Sequence, residues 1–279
     1  MHARCVTILP RFLPTTSASV KASAALPDRA LRQARAMAAV VALLLLALPW
    51  ICLPRHSRLH RALPALGWKL LLAGFGIRLR CQGTPAAPCS ALTVANHVSW
   101  TDIVVLGRLL DAGFVAKSEI ADWPIIGVLT RRYGCAFIAR DSRAAAHRLA
   151  RAMDAYPAGR GLVLFAEGTT GLGDTVLPFH SGLFAANARW PQVQPVTIVY
   201  RCADGTPLSP AGRRAVAWVG DDALLPHALA LAGAGGVTVE VWFEESFAPQ
   251  NRKHAAQESH RLIAARLAEN QAAALNRAA

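Results

Sequence analysis

The hydrophobic pattern of the chain changes near residue 79. Before it lie two long apolar segments, one from Ala36 to Pro54 without a charged residue and one from about Ala62 to Ile77 that includes Lys69. The first has the length of a transmembrane helix, but two prolines interrupt it, and its unbroken part, Met37–Leu48, is shorter than a bilayer crossing. A helical pair lying in one leaflet fits this pattern as well as a true span does. The alternatives are a buried helical pair of a soluble core and a cleaved signal peptide, which the late start of the apolar run disfavours.

After residue 79, short apolar runs alternate with helical stretches. The predicted strands are Ala91–Ala95, Gly113–Lys117, Cys135–Ala139, Gly161–Ala166, Val193–Tyr200, Arg214–Val219 and Val237–Phe243. The predicted helices are Ser99–Leu110, Pro124–Arg132, Ser142–Tyr156, Gly182–Arg189 and a long C-terminal one from about Asn251. This alternation predicts an α/β fold, a mixed, largely parallel sheet flanked by helices and preceded by the N-terminal membrane-associated helical pair. In such folds the chemistry sits at strand-to-helix turns.

Charge separates the chain into the same parts. Of 279 residues 53% are hydrophobic, mean hydropathy is +0.30 and formal net charge is +13, which excludes a disordered chain and suggests contact with lipid. Twelve basic side chains and one acid precede Asp102, against 18 and 16 in the rest. Basic charge interleaved with apolar residues favours anionic lipid over nucleic acid, so no nucleic-acid partner is predicted. Residues 1–35 are predicted to be a basic, poorly ordered tail, with a transit peptide as the alternative on composition. Membrane-associated helices are predicted at 36–78 and the α/β domain at 79–279.

The six cysteines indicate neither a metal site nor a disulfide framework. None forms a Cys-x-x-Cys pair, and no Cys/His cluster has the spacing of zinc ligands. They are scattered through apolar surroundings, as buried free thiols are. The simplest interpretation is a reduced domain that faces the cytosol.

The first turn with candidate chemistry is Asn96-His97-Val98-Ser99-Trp100-Thr101-Asp102, where a strand ends and a helix begins. Ser99 and Asp102 have the spacing of a capping box, which accounts for both without catalysis. His97 and Asp102 can meet only if His97 lies outside the helix and Asp102 leans back from its first turn. The carboxylate would then orient the imidazole, which could take a proton from a substrate hydroxyl.

The second such turn follows the predicted strand Gly161–Ala166 and reads Glu167-Gly168-Thr169-Thr170. One interpretation is a glycine-rich turn with a solvated Glu167. The other is the polar floor of a pocket that faces a ligand. Between the two turns, Lys117 ends one predicted strand and Arg140 follows another. An arginine just past a strand end is well placed for an anionic ligand, although most surface arginines are only solvated.

In order and in strand context, these segments resemble the glycerolipid acyltransferase family, whose best-known members make phosphatidate from lysophosphatidate. The resemblance covers roughly residues 62 to 215. The family's first block, Asn-His-x-Ser-x-x-Asp, is matched in full. The later blocks are matched in part, and the matching residues are Asn96, His97, Ser99, Asp102, Gly134, Phe137, Ile138, Arg140, Phe165, Glu167, Gly168, Thr169 and Pro195, with Lys117, Glu119, Pro124 and Gly127 upstream of the second block.

The departures from the family pattern concern the acceptor. Thr170 replaces an arginine of the third block, Ala166 replaces its proline, and His180 stands where lysine is common. In the family, the arginines of the second and third blocks are taken to hold the phosphate of the acceptor. Losing one removes a charge-assisted contact and leaves Arg140. The Glu-Gly-Thr-Thr variant is similar to the branch that acylates lyso-ornithine lipid, which lacks that phosphate.

The resemblance implies an acyltransferase domain at 79–279, with His97 as general base oriented by Asp102. The expected acceptor is a lyso-lipid of the 1-acyl-sn-glycerol-3-phosphate type, with lyso-ornithine lipid as the alternative. The expected co-substrate is an acyl thioester of CoA or acyl carrier protein, with no metal or bound cofactor. The expected location is the inner membrane, with the catalytic domain facing the cytosol. The expected binding residues are Asn96, Ser99, Lys117, Arg140, Glu167, Gly168, Thr169 and Thr170.

Two other classes of function stay open at this point. A lipid hydrolase is one, although the chain has no Gly-x-Ser-x-Gly elbow. A lipid-binding protein that kept the fold without catalysis is the other, although both His97 and Asp102 are present.

Overall fold

The central element is a seven-stranded sheet. The computed structural model describes residues 26–138, 145–154, 156–157 and 159–278. The strands are β1 (Ile77–Gln82), β2 (Ala91–Ala95), β3 (Ala112–Lys117), β4 (Ala136–Ile138), β5 (Gly161–Phe165), β6 (Gln192–Cys202) and β7 (Val237–Phe243). Their order across the sheet is β1-β7-β6-β2-β5-β3-β4. Only the β6–β7 pair is antiparallel, so the mixed, largely parallel sheet is confirmed.

Eight α-helices are described in this part of the chain. They are α1 (Leu26–Cys52), α2 (Arg58–Gly74), α3 (Thr101–Leu109), α4 (Ile126–Tyr133), α5 (Ala145–Asp154), α6 (Pro210–Val216), α7 (Leu224–Gly233) and α8 (Arg252–Ala278), with 3₁₀ segments at Ser118–Asp122 and Ser181–Arg189. One apolar core packs α1, α2, α3 and α7 against one face of the sheet. A second core packs α5, the Ser181–Arg189 segment and α8 against the other face.

The first helix begins earlier than the sequence suggests. The predicted boundary at residue 35 falls inside α1, because the basic side chains before it are bonded to the rest of the protein. Arg32 donates to the carbonyl of Gly233, and Arg35 donates to that of Gly74. Residues 26–35 therefore belong to α1 and not to a tail, and residues 1–25 lie outside the described ranges.

The helical pair is an antiparallel hairpin of α1 and α2. Trp50 donates to the carbonyl of His60 at 2.8 Å, and the two rings stack at 5.0 Å. A side chain at Gly74 would come within 2.4 Å of the Ala39 methyl, so the absence of one lets the helices approach closely. The stretch Asp28–Cys52 has the length and the hydropathy of a membrane span, and little of it is buried by the protein.

Several predicted elements need correction. The predicted strand Arg214–Val219 is wrong, because α6 occupies its first half and no strand follows in its second half. Ser209 caps α6 by accepting from the Gly212 amide at 3.1 Å, and the proline at the first helical position fits a helix start. The segment predicted as a helix at Gly182–Arg189 is 3₁₀. Strand β1 and helix α7 were not predicted.

Strand β7 has the predicted bounds but not the predicted exposure. Its alternation suggests one solvated face, yet both faces are covered. Trp242 packs with Leu267 of α8 on the second face. The long C-terminal helix therefore accounts for the difference.

Candidate active site

His97 and Asp102 meet at the turn between β2 and α3. His97 Nδ1 lies 2.8 Å from Asp102 Oδ2, and the Asp102 side chain is fully buried while that of His97 is 13% exposed. His97 precedes the helix and Asp102 lies in its first turn, as the sequence requires for contact. With Nδ1 facing the carboxylate, Nε2 is the ring nitrogen left for a substrate.

The Asp102 carboxylate also shapes the turn. The same oxygen accepts the backbone amides of Val98 at 2.7 Å and Ser99 at 2.9 Å. The first residue flanking α3 is Trp100, which makes no side-chain cap, and the buried Ser99 hydroxyl has no hydrogen-bond partner among the described residues. The capping interpretation therefore holds for Asp102 and not for the Ser99 side chain.

Tyr200 of β6 completes the surroundings of Asp102. Its hydroxyl donates to Asp102 Oδ1 at 2.5 Å and lies 2.6 Å from the Thr101 hydroxyl. Burial, and then the neighbouring Asp102 carboxylate, raise the pKa of Tyr200 well above its usual range. Sequence reasoning missed Tyr200, because an aromatic residue in a buried strand carries no signal of its distant partner. Both oxygens of Asp102 are thus fixed by donors.

Phe165, the last residue of β5, supports the imidazole from one side. The ring of His97 stacks on that of Phe165 with centroids 3.9 Å apart and planes inclined by 13°. Phe165 stacks in turn with Phe114 of β3. The His97 ring is therefore held by packing as well as by its hydrogen bond.

Glu167 links the two predicted turns. It is buried, not solvated, and its two oxygens accept the backbone amides of His97 at 2.7 Å and Leu177 at 2.9 Å. Burial raises the pKa of Glu167 to about 7, against the lowering effect of those two amides, and the Asp102 charge adds to the rise. Glu167 positions the backbone of the histidine instead of facing an acceptor.

Gly168 allows the chain to turn sharply after Glu167. Its φ is +72°, and a side chain there would approach the His180 ring at 3.0 Å. Beyond it, Thr169 is exposed, and the Thr170 hydroxyl donates to the carbonyl of Trp218. The glycine therefore serves the turn and a close approach together.

Main-chain bonds join this segment to the histidine turn. Gly171 donates to the carbonyl of His97 at 2.8 Å, and Trp218 donates to that of Val98 at 3.0 Å. Together with the hydrogen bond of Thr170, these contacts hold three loops together at the carboxyl ends of β2 and β5. They are the loops that contain His97, Gly171 and Trp218.

Two of the predicted binding residues, Asn96 and Lys117, stand apart from this cluster. Asn96 is buried and exchanges two hydrogen bonds with the main chain of Ile198, at 3.0 and 2.8 Å, so it ties β2 to β6. Lys117 is exposed at the carboxyl end of β3. Arg140 lies outside the described residues. Within the described ranges, no group of three or more His, Cys, Asp or Glu side chains could hold a metal ion.

Comparison with known proteins agrees with the geometry. A sequence profile of the acyltransferase family matches residues 78–201. A lyso-ornithine lipid O-acyltransferase of Brucella abortus (strain 2308) is 37% identical over 220 residues, which are 75% of this chain and 82% of that protein. A 1-acyl-sn-glycerol-3-phosphate acyltransferase of Neisseria gonorrhoeae is 37% identical over 127 residues, 45% and 49% of the two chains.

A solved structure shares the fold. The crystal structure of the 1-acyl-sn-glycerophosphate acyltransferase PlsC from Thermotoga maritima superposes with a TM-score of 0.58. It is 18% identical and covers 86% of this chain and 98% of its own. From the sequence blocks, the dyad and these matches together, the chain belongs to the acyltransferase family.

Proposed function

We propose that this acyltransferase moves a fatty acyl group from a thioester of CoA or acyl carrier protein to the hydroxyl of a lyso-lipid. The observation that carries the proposal is the His97–Asp102 contact, which leaves Nε2 as the available nitrogen. Nε2 takes the hydroxyl proton as the oxygen attacks the thioester carbonyl. The tetrahedral intermediate then collapses, the carbon–sulfur bond breaks and the thiolate takes the proton from the imidazolium. An ester and a free thiol result.

The test is acyl transfer by purified protein in lipid micelles, measured as thiol release and as diacyl product. His97→Ala should abolish transfer while the protein stays folded, and Asp102→Asn should cost on the order of 10²–10⁴ in rate. Near-normal turnover by His97→Ala would refute the mechanism. Release of fatty acid from a diacyl lipid without a thioester would indicate a hydrolase, and absence of thioester consumption a binding protein.

For the acceptor, we propose lyso-ornithine lipid in preference to lysophosphatidate. The relative with that name covers 75% of this chain, against 45% for the lysophosphatidate type. The position of the family's arginine holds Thr170, whose hydroxyl is engaged by the Trp218 carbonyl. A missing charged contact to phosphate is worth about 1.5–3 kcal/mol, or one to two powers of ten in binding.

The acceptor proposal predicts that kcat/KM for lysophosphatidate is no higher than for a phosphate-free lyso-lipid. Thr170→Arg should shift the ratio toward lysophosphatidate. Thr170→Val is the matched control, because it removes the bond to Trp218 without adding charge, and it should leave the ratio unchanged. A wild-type preference for lysophosphatidate by several powers of ten would contradict the argument from Thr170.

We further propose that the protein attaches to the inner membrane with its catalytic domain toward the cytosol. Support comes from the apolar side chains that α1 leaves exposed, among them Val41, Leu45 and Leu48. The excess of basic charge in the same part of the chain would add attraction to anionic head groups.

A further inference from the structure

The segment that connects β3 to α4 ends in a strained turn. Ile125 has φ +64° and ψ −59°, and the amide of Ile126 donates to the carbonyl of Pro124 at 2.6 Å. These values describe a γ-turn of the rare, strained kind. Ile125 is the one non-glycine residue with positive φ in the described part of the chain, and a β-branched residue there is an outlier.

The surroundings force the turn to persist. Gly127 donates to the carbonyl of Trp123 at 2.9 Å, and a side chain on Gly127 would come within 2.1 Å of the Ala121 carbonyl oxygen. Leu129 donates to the Ile125 carbonyl at 2.9 Å, which fixes the other side. Backbone strain that is held this firmly clusters at functional sites.

The strained turn exposes an apolar tip, defined here as Trp123–Val128. Ile125 is 60% exposed, Val128 48% and Trp123 39%. Strain opposes folding, and an apolar side chain that stays exposed contributes nothing to offset it; at Ile125 the two coincide. A contact that covers the tip would offset the exposure, although it would not relieve the strain.

The tip belongs to the same layer as the helical hairpin. Arg132 of α4 donates to the carbonyl of Leu53, directly after α1. Tyr133 accepts from the indole of Trp68 in α2 at 3.3 Å, and the two rings meet edge to face at 5.5 Å. Helix α4, which follows the tip, therefore packs directly against the helical hairpin.

The tip also lies at the active-site edge of the sheet. It follows β3, which runs parallel to β5, and the carboxyl ends of parallel strands meet at one edge. His97 follows β2, which is parallel to β5 as well. The acids Glu119 and Asp122 stand just before the tip, and their charges would not enter the acyl-chain region. A lipid contact of the tip therefore lies in the headgroup interface, where tryptophan also prefers to lie.

We propose that the Trp123–Val128 tip inserts into the lipid interface as a third contact beside α1 and α2. It holds the active-site edge of the sheet against the leaflet from which the lyso-lipid enters. This inference rests on the membrane attachment proposed above. The proposed partner of the tip is the lipid interface and not another protein.

The first test places a reporter at the tip of the full-length protein. Ile125→Trp is mixed with vesicles of phosphatidylethanolamine and phosphatidylglycerol, with and without bromine on the acyl chains near the headgroup. Brominated lipid should quench the added tryptophan. The matched control is Gln257→Trp, at an exposed position of α8 on the other side of the sheet, and its added signal should not be quenched.

The second test separates strain from lipid contact. Ile125→Gly should raise the thermal midpoint by about 2–4 °C because glycine accepts positive φ. It should also lower the partition coefficient onto the same vesicles on the order of tenfold because the apolar side chain is gone. Ile125→Leu keeps the apolar side chain and should bind as the wild type does.

The outcomes distinguish this inference from the attachment on which it rests. A wild type that does not bind vesicles overturns both. A wild type that binds, with no quenching at position 125 and no loss of binding in Ile125→Gly, leaves the attachment standing and overturns the tip. Quenching at position 257 equal to that at 125 also overturns it.

Discussion

At the residue scale, Asp102 orients His97 and also fixes the backbone of the turn. Oδ2 accepts hydrogen bonds from the imidazole and from two backbone amides, and Oδ1 accepts one from the Tyr200 hydroxyl. A carboxylate with four donors is held in a single position, and so is the imidazole that depends on it. An asparagine in its place offers one acceptor oxygen, so the loss in Asp102→Asn includes the geometry of the turn.

Tyr200→Phe isolates one of these contacts. It removes the donor to Asp102 Oδ1 and keeps the ring, which packs in the core. A hydrogen bond to a charged group is worth about 1.5–3 kcal/mol, so kcat should fall about 10- to 100-fold. KM for the thioester should stay within about twofold, because Tyr200 acts on the base and not on substrate binding.

The measurement is the kcat–KM split of purified Tyr200→Phe beside Thr101→Val, which removes the other partner of the hydroxyl. Thr101→Val should cost less, since it leaves the bond to Asp102 in place. A fall confined to KM, or equal losses in the two variants, would contradict a positioning role for Tyr200.

At the scale of elements, Glu167 couples the turn after β2 to the loop after β5. Its pKa of about 7 lies above the ordinary value of 4.5, so the folded protein binds more protons than the unfolded chain between these values. Stability from this group is therefore fully present below about pH 4.5 and is lost as the pH rises through about 7. The loss amounts to about 3 kcal/mol.

Glu167→Gln should remove that pH dependence. The wild type should lose about 2.5 kcal/mol more unfolding free energy than the variant between about pH 5 and about pH 8. Thermal midpoints of both proteins in the same detergent give the comparison, and every other titrating group cancels between them. Parallel curves across this range would mean that Glu167 ionises normally in the folded protein.

The elements that local pattern alone determines could be predicted. Strands β2 and β7 have the predicted bounds, because β2 is a short run that ends at the polar Asn96 and β7 alternates cleanly along its length. Helix α6 was mistaken for a strand since its alternating residues outweighed the Ser-Pro start. Strand β1, with its exposed arginines, looks polar until β7 is known to pair with it.

The same limit applies to the site. The contact between His97 and Asp102 could be predicted because the two residues are only five positions apart, within a single turn. The contact of Tyr200 with Asp102 and the two hydrogen bonds between Asn96 and Ile198 form because β6 lies beside β2. The two strands are about a hundred positions apart in sequence. Only the sheet order supplies that neighbour.

For the whole molecule, the exposed apolar face of α1 predicts how the protein is extracted. The membrane fraction should retain it at high salt, because screening weakens charge attraction and leaves apolar burial intact. Removing residues 1–25 should not release it, since that cut stops before Arg32 and Arg35, which are bonded to the folded protein. Release of the full-length chain by salt alone would show that α1 is covered by protein.

The pairing of β1 with β7 sets the size of the smallest piece that can fold. Six residues of β1, the strand that follows the helical hairpin, cover the outer edge of β7. A fragment that starts after Gln82 would leave the backbone groups on that edge of β7 unpaired. An unpaired edge with alternating apolar residues pairs with strands of other molecules. Cutting away the hairpin together with β1 would thus yield aggregates in place of a soluble enzyme. Solubility has to be engineered by exchanging exposed α1 side chains within an intact chain.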